Sequence, residues 1–152
     1  MTIQRQALVI VPYAAAFRDA CLNLFDENCP KFFAPNERTH YVDFLENLGA
    51  LYSVCKVRDD VVGAFGVTFC DEPSWRRLSW IMLSPTSQGA GHGRAMMDDA
   101  IAKARDAGAN TLEIGASHLS APFFARFGAR EVRYAADGWG PDMHRVDMSL
   151  AL

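Results

Sequence analysis

The stretch best suited to chemistry is Gln88-Gly89-Ala90-Gly91-His92-Gly93-Arg94, three glycines at alternate positions with a cation directly behind them. Glycines so spaced let the backbone bend with its N–H groups turned inward, and a helix opening at this point adds partial positive charge. The residues therefore predict a cradle for phosphate. Two commoner cradles fit poorly. A Walker loop needs GxxxxGK[ST], and Gly93 is followed by Arg94 rather than Lys. The dinucleotide fingerprint GxGxxG is not met, because the run is GxGxG. Glu113 falls twenty residues after Gly93, as a ribose-binding acid would, but inside an expected strand rather than at its end. A Rossmann unit is thus kept only as a minor alternative.

Two elements must hold this loop. Leu78 to Leu83 reads as a buried strand leading through Pro85 into the glycines, and Gly91 to Ala107 reads as a helix burying Ala95, Met96, Ala100, Ile101 and Ala104, with Gly108 as its left-handed cap. Before them come a strand at Ala7 to Val11, a helix from Ala14 to Asp26, a second helix capped by Asn36 and stopping near Gly49, and a hairpin. The hairpin joins Leu51 to Val57 and Val61 to Phe69 through Arg58-Asp59-Asp60, and its antiparallel pairing speaks against an all-parallel Rossmann sheet. After the loop come a strand at Thr111 to Ala116 and a short helix capped by Ser120. Phe123, Phe124 and Phe127 bury that helix before Gly128 ends it. Strands at about Arg130 to Ala135 and His144 to Leu150 then flank a loop with Gly138-Trp139-Gly140-Pro141.

A chain of 152 residues, half of them hydrophobic, suits one domain spanning residues 1–152 with a single core. No run reaches the length of a membrane span and the first residues lack a signal-peptide pattern, so a soluble cytoplasmic protein is expected, with no membrane partner. A net charge of -3 without a basic block argues against nucleic acid. It also requires positive potential to be concentrated wherever an anion binds. Cys21, Cys29, Cys55 and Cys70 lie far apart without a CxxC pair, which predicts buried thiols rather than a metal site or disulfides.

Leu83-Ser84-Pro85 followed by Gln88-Gly89-Ala90-Gly91-His92-Gly93 resembles the acyl-CoA-binding signature of the GCN5-related N-acetyltransferase (GNAT) superfamily, [QR]-x-x-G-x-[GA] after an aliphatic-x-Pro. The element order β-α-α-β-β-β-α-β-α-β-β is similar to that superfamily's along nearly the whole chain. Ala116 to Ala129, ASHLSAPFFARFGA, also resembles the ASxxAxPFFxRxG segment of one bacterial branch. The resemblance implies an α/β (α+β) fold: a mixed, mostly antiparallel sheet of six to seven strands, splayed between the fourth and fifth, with about four helices. It implies acetyl-CoA held by Ile81, Met82, Leu83, Gln88, Gly89, Ala90, Gly91, His92, Gly93, Arg94, Ser117 and Phe124, and leaves a homodimer open. Ser117 and Phe124 are departures, standing where many members carry Asn and a Tyr that protonates the leaving thiolate.

The implied reaction is direct attack of a primary amine of a small molecule or peptide on the thioester in a ternary complex, with the Leu83 N–H as oxyanion donor. The alternative is a non-catalytic acyl-CoA-binding module. The expected fourth strand has no carboxylate or His between Leu78 and Leu83, so the candidate bases lie elsewhere: Glu113, His118, and Asp71 or Glu72. Tyr134 and Tyr41 are candidate replacement acids, and Cys70 a remote candidate nucleophile. Arg94, His92 and Arg126 are the expected local cations. Asp26, Glu27 and Glu37, with Asp137 and Asp142 beside Trp139, would line an acidic, aromatic acceptor groove.

Overall fold

A computed structural model describes residues 7–152. The sheet has seven strands: β1 Leu8–Pro12, β2 Tyr52–Val57, β3 Asp60–Phe69, β4 Trp75–Leu83, β5 Thr111–Ser117, β6 Arg130–Gly140 and β7 Met143–Ala151. Their order across the sheet is β1-β2-β3-β4-β5-β7-β6, and every pair is antiparallel except β4 with β5. Four helices cover it: α1 Arg18–Asn28, α2 Arg38–Leu48, α3 His92–Asp106 and α4 Ala121–Ala125. The fold is the α/β arrangement the sequence predicts.

Both faces of the sheet are buried, which is why Val62 to Gly66 read as one continuous apolar run. Phe65, Leu78, Leu112 and Ile114 pack on Met96, Met97, Ala100 and Ala104 of α3, while Tyr52, Val54, Ala64 and Met82 pack on Phe25, Tyr41 and Phe44 of α1 and α2. The α3 stripe runs through fully buried Met97, with Ala95 and Ile101 only half-buried. Gly108 has φ +84, as its capping role requires.

Leu78 and Met82 are four residues apart yet face opposite sides of the sheet. The cause is a β-bulge: Ala64 to Gly66 on β3 spans Met82 to Ser79 on β4, and Trp80 takes the extra position at φ +51. The Tyr52 hydroxyl donates to the Trp80 carbonyl at 2.6 Å and lies 3.0 Å from the Tyr41 hydroxyl, so Tyr41 must donate to Tyr52. This buried chain pins the bulge.

The structure moves several boundaries. β4 begins at Trp75 because Trp75 already pairs with β5 and Arg76 and Arg77 pair with both β3 and β5. β6 continues through the expected loop to Gly140, with an irregular register after Ala135 and Asp137 at φ +54. Asn36 does not cap α2. It sits inside a 3-10 turn, Pro35–Glu37, and its amide donates to the Trp139 carbonyl at 2.9 Å. Ser120 occupies the cap position of α4, but its hydroxyl accepts the Ser117 N–H at 3.0 Å rather than a helix N–H.

Candidate active site

The ladder between β4 and β5 ends at Leu78 with Ile114, although β4 runs on to Leu83 and β5 to Ser117. Beyond that last pair the strands part. A cleft of about 1070 Å³ passes through the gap, from the glycine loop on the α3 side to the aromatic residues of the α1–α2 side.

On the α3 side the site is mostly main chain. Gly89 and Gly91 have φ +86 and +81, and a Cβ at either would meet nothing within 4 Å, so the requirement is conformational rather than steric. Gly93 answers a different need, since a Cβ there would approach the Phe123 ring to 3.2 Å. Gly91 is the residue before α3, and its carbonyl accepts the first helical bond, from Ala95 at 3.2 Å. The N–H groups just ahead of Ala95 therefore have no partner within the helix. Gln88, Gly89, Gly91, Gly93, Arg94 and Arg126 all line the cleft, and the first turn of α3 carries no acid. Ala90 and His92 are not among the lining residues.

Ile81, Met82 and Leu83 form the β4 bank of the gap. Ser84 donates its N–H to the Val62 carbonyl at 2.7 Å, so the alternation along a strand turns the Leu83 N–H away from β3 and toward the gap. The Leu83 carbonyl accepts the Asn28 amide at 3.2 Å, tying α1 to the end of β4. Across the gap, Ser117 is buried and exchanges hydrogen bonds with Ser120, and Phe124 is 4% exposed with its ring against Phe123.

On the other side the site is made of side chains. Phe32, Phe33, Phe44 and Trp80 form an aromatic wall, with Phe33 stacked against Phe25 and 5.9 Å from Trp80. Opposite, the Trp139 indole donates to the Ala116 carbonyl at 2.9 Å and lies over Gly115, where a Cβ would meet the ring at 3.1 Å. Arg145 stacks 4.4 Å from the Trp139 ring and pairs with Asp147 at 2.7 Å. Arg77 pairs with Glu113 at 2.9 Å. Glu37 is 7% exposed and accepts the Ala34 N–H at 2.8 Å, and burial raises its pKa above the ordinary carboxylate value against the opposing pull of that bond, His40 and Arg145.

The candidate proton-transfer residues separate. Glu113 lines the cleft but is held by Arg77 and by the Cys70 thiol, whose Sγ donates to it at 3.4 Å. Burial and then Glu113 push the Cys70 thiol up, the wrong direction for a nucleophile. His118 is not a lining residue. Its Nδ1 accepts the His144 N–H at 3.3 Å and its ring lies 4.7 Å from that of His144. Tyr134 is 53% exposed on edge strand β6 and also lies off the cleft. Tyr41 is fully buried within the Tyr52 chain, and burial raises its pKa.

Of the expected groove acids only Glu37 lines the cleft. Asp26 pairs with Arg38 at 2.9 Å, Glu27 accepts the Ser84 hydroxyl at 2.7 Å, and Asp137 and Asp142 join each other in the β6–β7 hairpin. The sequence reading did not anticipate Asn28, Trp80, Arg77, Arg145 or Asp147 in the site. Only the alternation of Arg145 and Asp147 on β7 hints that they share a face. Cys21 and Cys55 are buried thiols pushed up to about 11 and about 12 by desolvation. Among the described residues no group of His, Cys, Asp and Glu is disposed to hold a metal ion, and no helix is long and apolar enough to cross a membrane.

Solved structures share this architecture at low sequence identity. A GNAT-family protein from Desulfovibrio desulfuricans aligns over 95% of this chain and 99% of its own, with TM-score 0.79 and 18% identity. Ard1 from Thermoplasma volcanium aligns over 96% and 98%, with TM-score 0.78 and 12% identity. N-acetylglutamate synthase from Neisseria gonorrhoeae, solved with coenzyme A and N-acetyl-glutamate, aligns over 98% of this chain but only 36% of its own, with TM-score 0.74 and 16% identity. No curated protein matches the sequence. The family described as Acetyltransferase (GNAT) family matches residues 19–129, a span that contains both strands of the splay and the whole glycine loop, and the chain therefore belongs to that family.

Proposed function

We propose that residues 1–152 act as one acetyl-CoA-dependent N-acetyltransferase unit that acylates a primary amine. The observation that carries this reading is the continuity of the cleft: one opening joins a main-chain anion cradle to a side-chain pocket on the far face of the sheet, through the gap between β4 and β5. An extended acyl thioester fits such a gap, with its phosphates on one side and its acyl end exposed to the other.

In this reading the N–H groups of the Gln88 to Arg94 loop and of the α3 start receive the diphosphate, as the positive φ of Gly89 and Gly91 allows. Arg94 and Arg126 supply the local positive charge. The main chain of Ile81 to Leu83 pairs with the pantetheine arm as an added strand would. Leu83 N–H, turned into the gap, donates to the thioester oxygen as negative charge develops there. Bound acetyl-CoA supplies a thioester whose C–S bond breaks as the amine nitrogen forms its bond to the carbonyl carbon. The amine must reach that carbon neutral, because a free alkylammonium has a pKa of roughly 10. Its proton passes to solvent or to a cleft carboxylate, and the rate rises with pH as the bound amine deprotonates.

Phe124 favours a second reading, an acyl-CoA-binding module, since it lines the cleft without a hydroxyl to protonate the departing sulfur. Calorimetry with acetyl-CoA and thiol release against an amine panel separate the two. The transferase reading expects both binding and release. Binding with no release from any amine would leave the module.

A further inference from the structure

The acceptor side of the cleft has an unbalanced charge census. Arg77 and Arg145 are its cations, and each is committed to a carboxylate, Glu113 and Asp147 respectively. Glu37 is the third acid there, so two positive charges face three negative ones and the pocket is left with one surplus negative charge. No Lys, Arg or His among the described residues forms an ion pair with Glu37. Its Oε2 takes the Ala34 N–H, and none of the protein's hydrogen bonds among those residues reaches its other oxygen. The residue is 7% exposed, yet that other oxygen is not sealed from solvent, so it is open to a cation in the cleft, and a carboxylate so largely withdrawn from water gains from such a partner.

The acceptor side of the cleft is largely apolar: Phe32, Phe33, Phe44 and Trp80 form one wall, continued by Leu48 and Leu51, while the hydroxyls of Thr68 and Ser79 bond to each other. An apolar wall rejects a polyhydroxylated body, because its hydroxyls would lose water without gaining partners. One surplus carboxylate neutralises one ammonium, not a polycation. A substrate carboxylate finds both arginines already paired.

Resting on the transferase reading, we propose that the acceptor is a primary monoamine on an aromatic or bulky aliphatic body, and that Glu37 is the specificity-determining residue that receives its ammonium. The rigid placement of Glu37 supports this. The Pro35–Glu37 turn is clasped to the Trp139 carbonyl through Asn36, and Gly140 is packed against Ala34 and Asn36 so closely that a Cβ would collide with both.

The test is calorimetry near neutral pH on the full chain saturated with CoA, using 2-phenylethylamine, 2-phenylethanol, phenylalanine and spermidine as probes. 2-Phenylethylamine should bind more tightly than each of the other three, by about tenfold or more over the alcohol, as expected for a charge-assisted hydrogen bond. Glu37→Gln keeps an oxygen acceptor for the Ala34 N–H, and should lower affinity for the amine by about tenfold to a hundredfold while leaving the alcohol and CoA unaffected. A purely structural Glu37 would show no such selective loss. Equal binding of amine and alcohol by the wild-type chain overturns the inference even if the variant fails to fold. So do tighter binding of phenylalanine or spermidine, and undetectable binding of 2-phenylethylamine. Selective, Glu37-dependent amine binding with no thiol release from acetyl-CoA would support this inference while overturning the transferase reading. Release with a different amine class alone would do the reverse.

Discussion

The two halves of the cleft are built on opposite plans. On the α3 side the shaping groups are backbone: two glycines in left-handed conformations, the start of a helix and the free edge of a strand. They come from a continuous segment, Leu78 to Arg94, in which Gly89 and Gly91 answer to φ and Gly93 to the nearby Phe123 ring. On the α1–α2 side the shaping groups are side chains from four separated stretches, joined by contacts such as Asn36 to Trp139 across 103 residues. On the proposed reading, affinity for a common ligand is encoded locally, while discrimination among acceptors is encoded by tertiary packing.

That contrast can be broken first at Gly91. A β-branched residue at φ +81 is strained by about 1–3 kcal/mol or forces the loop to move, so Gly91→Val should weaken acetyl-CoA binding by up to about a hundredfold with the fold intact. Calorimetry and circular dichroism together check it, and unchanged affinity would remove the backbone cradle. Next comes Tyr52→Phe, which deprives the Trp80 carbonyl and the Tyr41 hydroxyl of their partner at the bulge. We expect a loss of about 2 kcal/mol and a Tm lower by about 4–8 °C, with acceptor binding impaired more than CoA binding. An equal effect on both ligands would deny that the halves are separable.

Arg94→Ala should cost about fivefold to tenfold in CoA affinity, because a single exposed charge-assisted contact is lost. A larger loss with CoA than with dephospho-CoA would place it on the 3′-phosphate, and equal losses would place it on the diphosphate. No loss for either would discard the residue. Phe124→Tyr should raise the transfer rate by at most about threefold, since thiols near pKa 8.5 leave readily without an acid. A gain in the general-acid range of about 10²–10⁴ would instead mark the natural site as crippled. The smallest effect concerns Glu37, whose carboxyl pKa is raised on folding by burial. A raised folded-state pKa favours the fold only at acid pH, and that contribution fades as pH rises through the unfolded and then the folded value. Glu37→Gln should therefore match the wild-type Tm in acid and exceed it near neutrality. A Tm below wild type at neutral pH would mean that the charge stabilises the fold.

How much was legible in the sequence follows the same division. The strand–loop–helix unit around Gly91 could be read because its determinants are neighbours, and strand and helix periods located almost every element. The bulge at Trp80 could not, since an extra residue in β4 is visible only against the register of β3, and it reverses which side of the sheet Met82 serves. Glu37 could be named as a groove acid but not separated from Asp26 and Glu27, which differ from it only in the partners that the fold provides. His118 looked suitable by its closeness to the splay and Tyr134 as a replacement acid by its hydroxyl, yet the backbone beyond β5 carries both off the cleft.

The position of β7 between β5 and β6 has a consequence for the growing chain. Among the described residues β6 pairs with no strand other than β7, so when it leaves the ribosome the strand it will pair with has not yet been made, whereas β1 to β5 and α3 already have been. Trp139 reaches Gly115, and Arg145 reaches Trp139 and Asp147, only after the last strand slots in beside β5. On the proposed reading, translation thus delivers the segments of the cofactor side first and those that complete the acceptor side last.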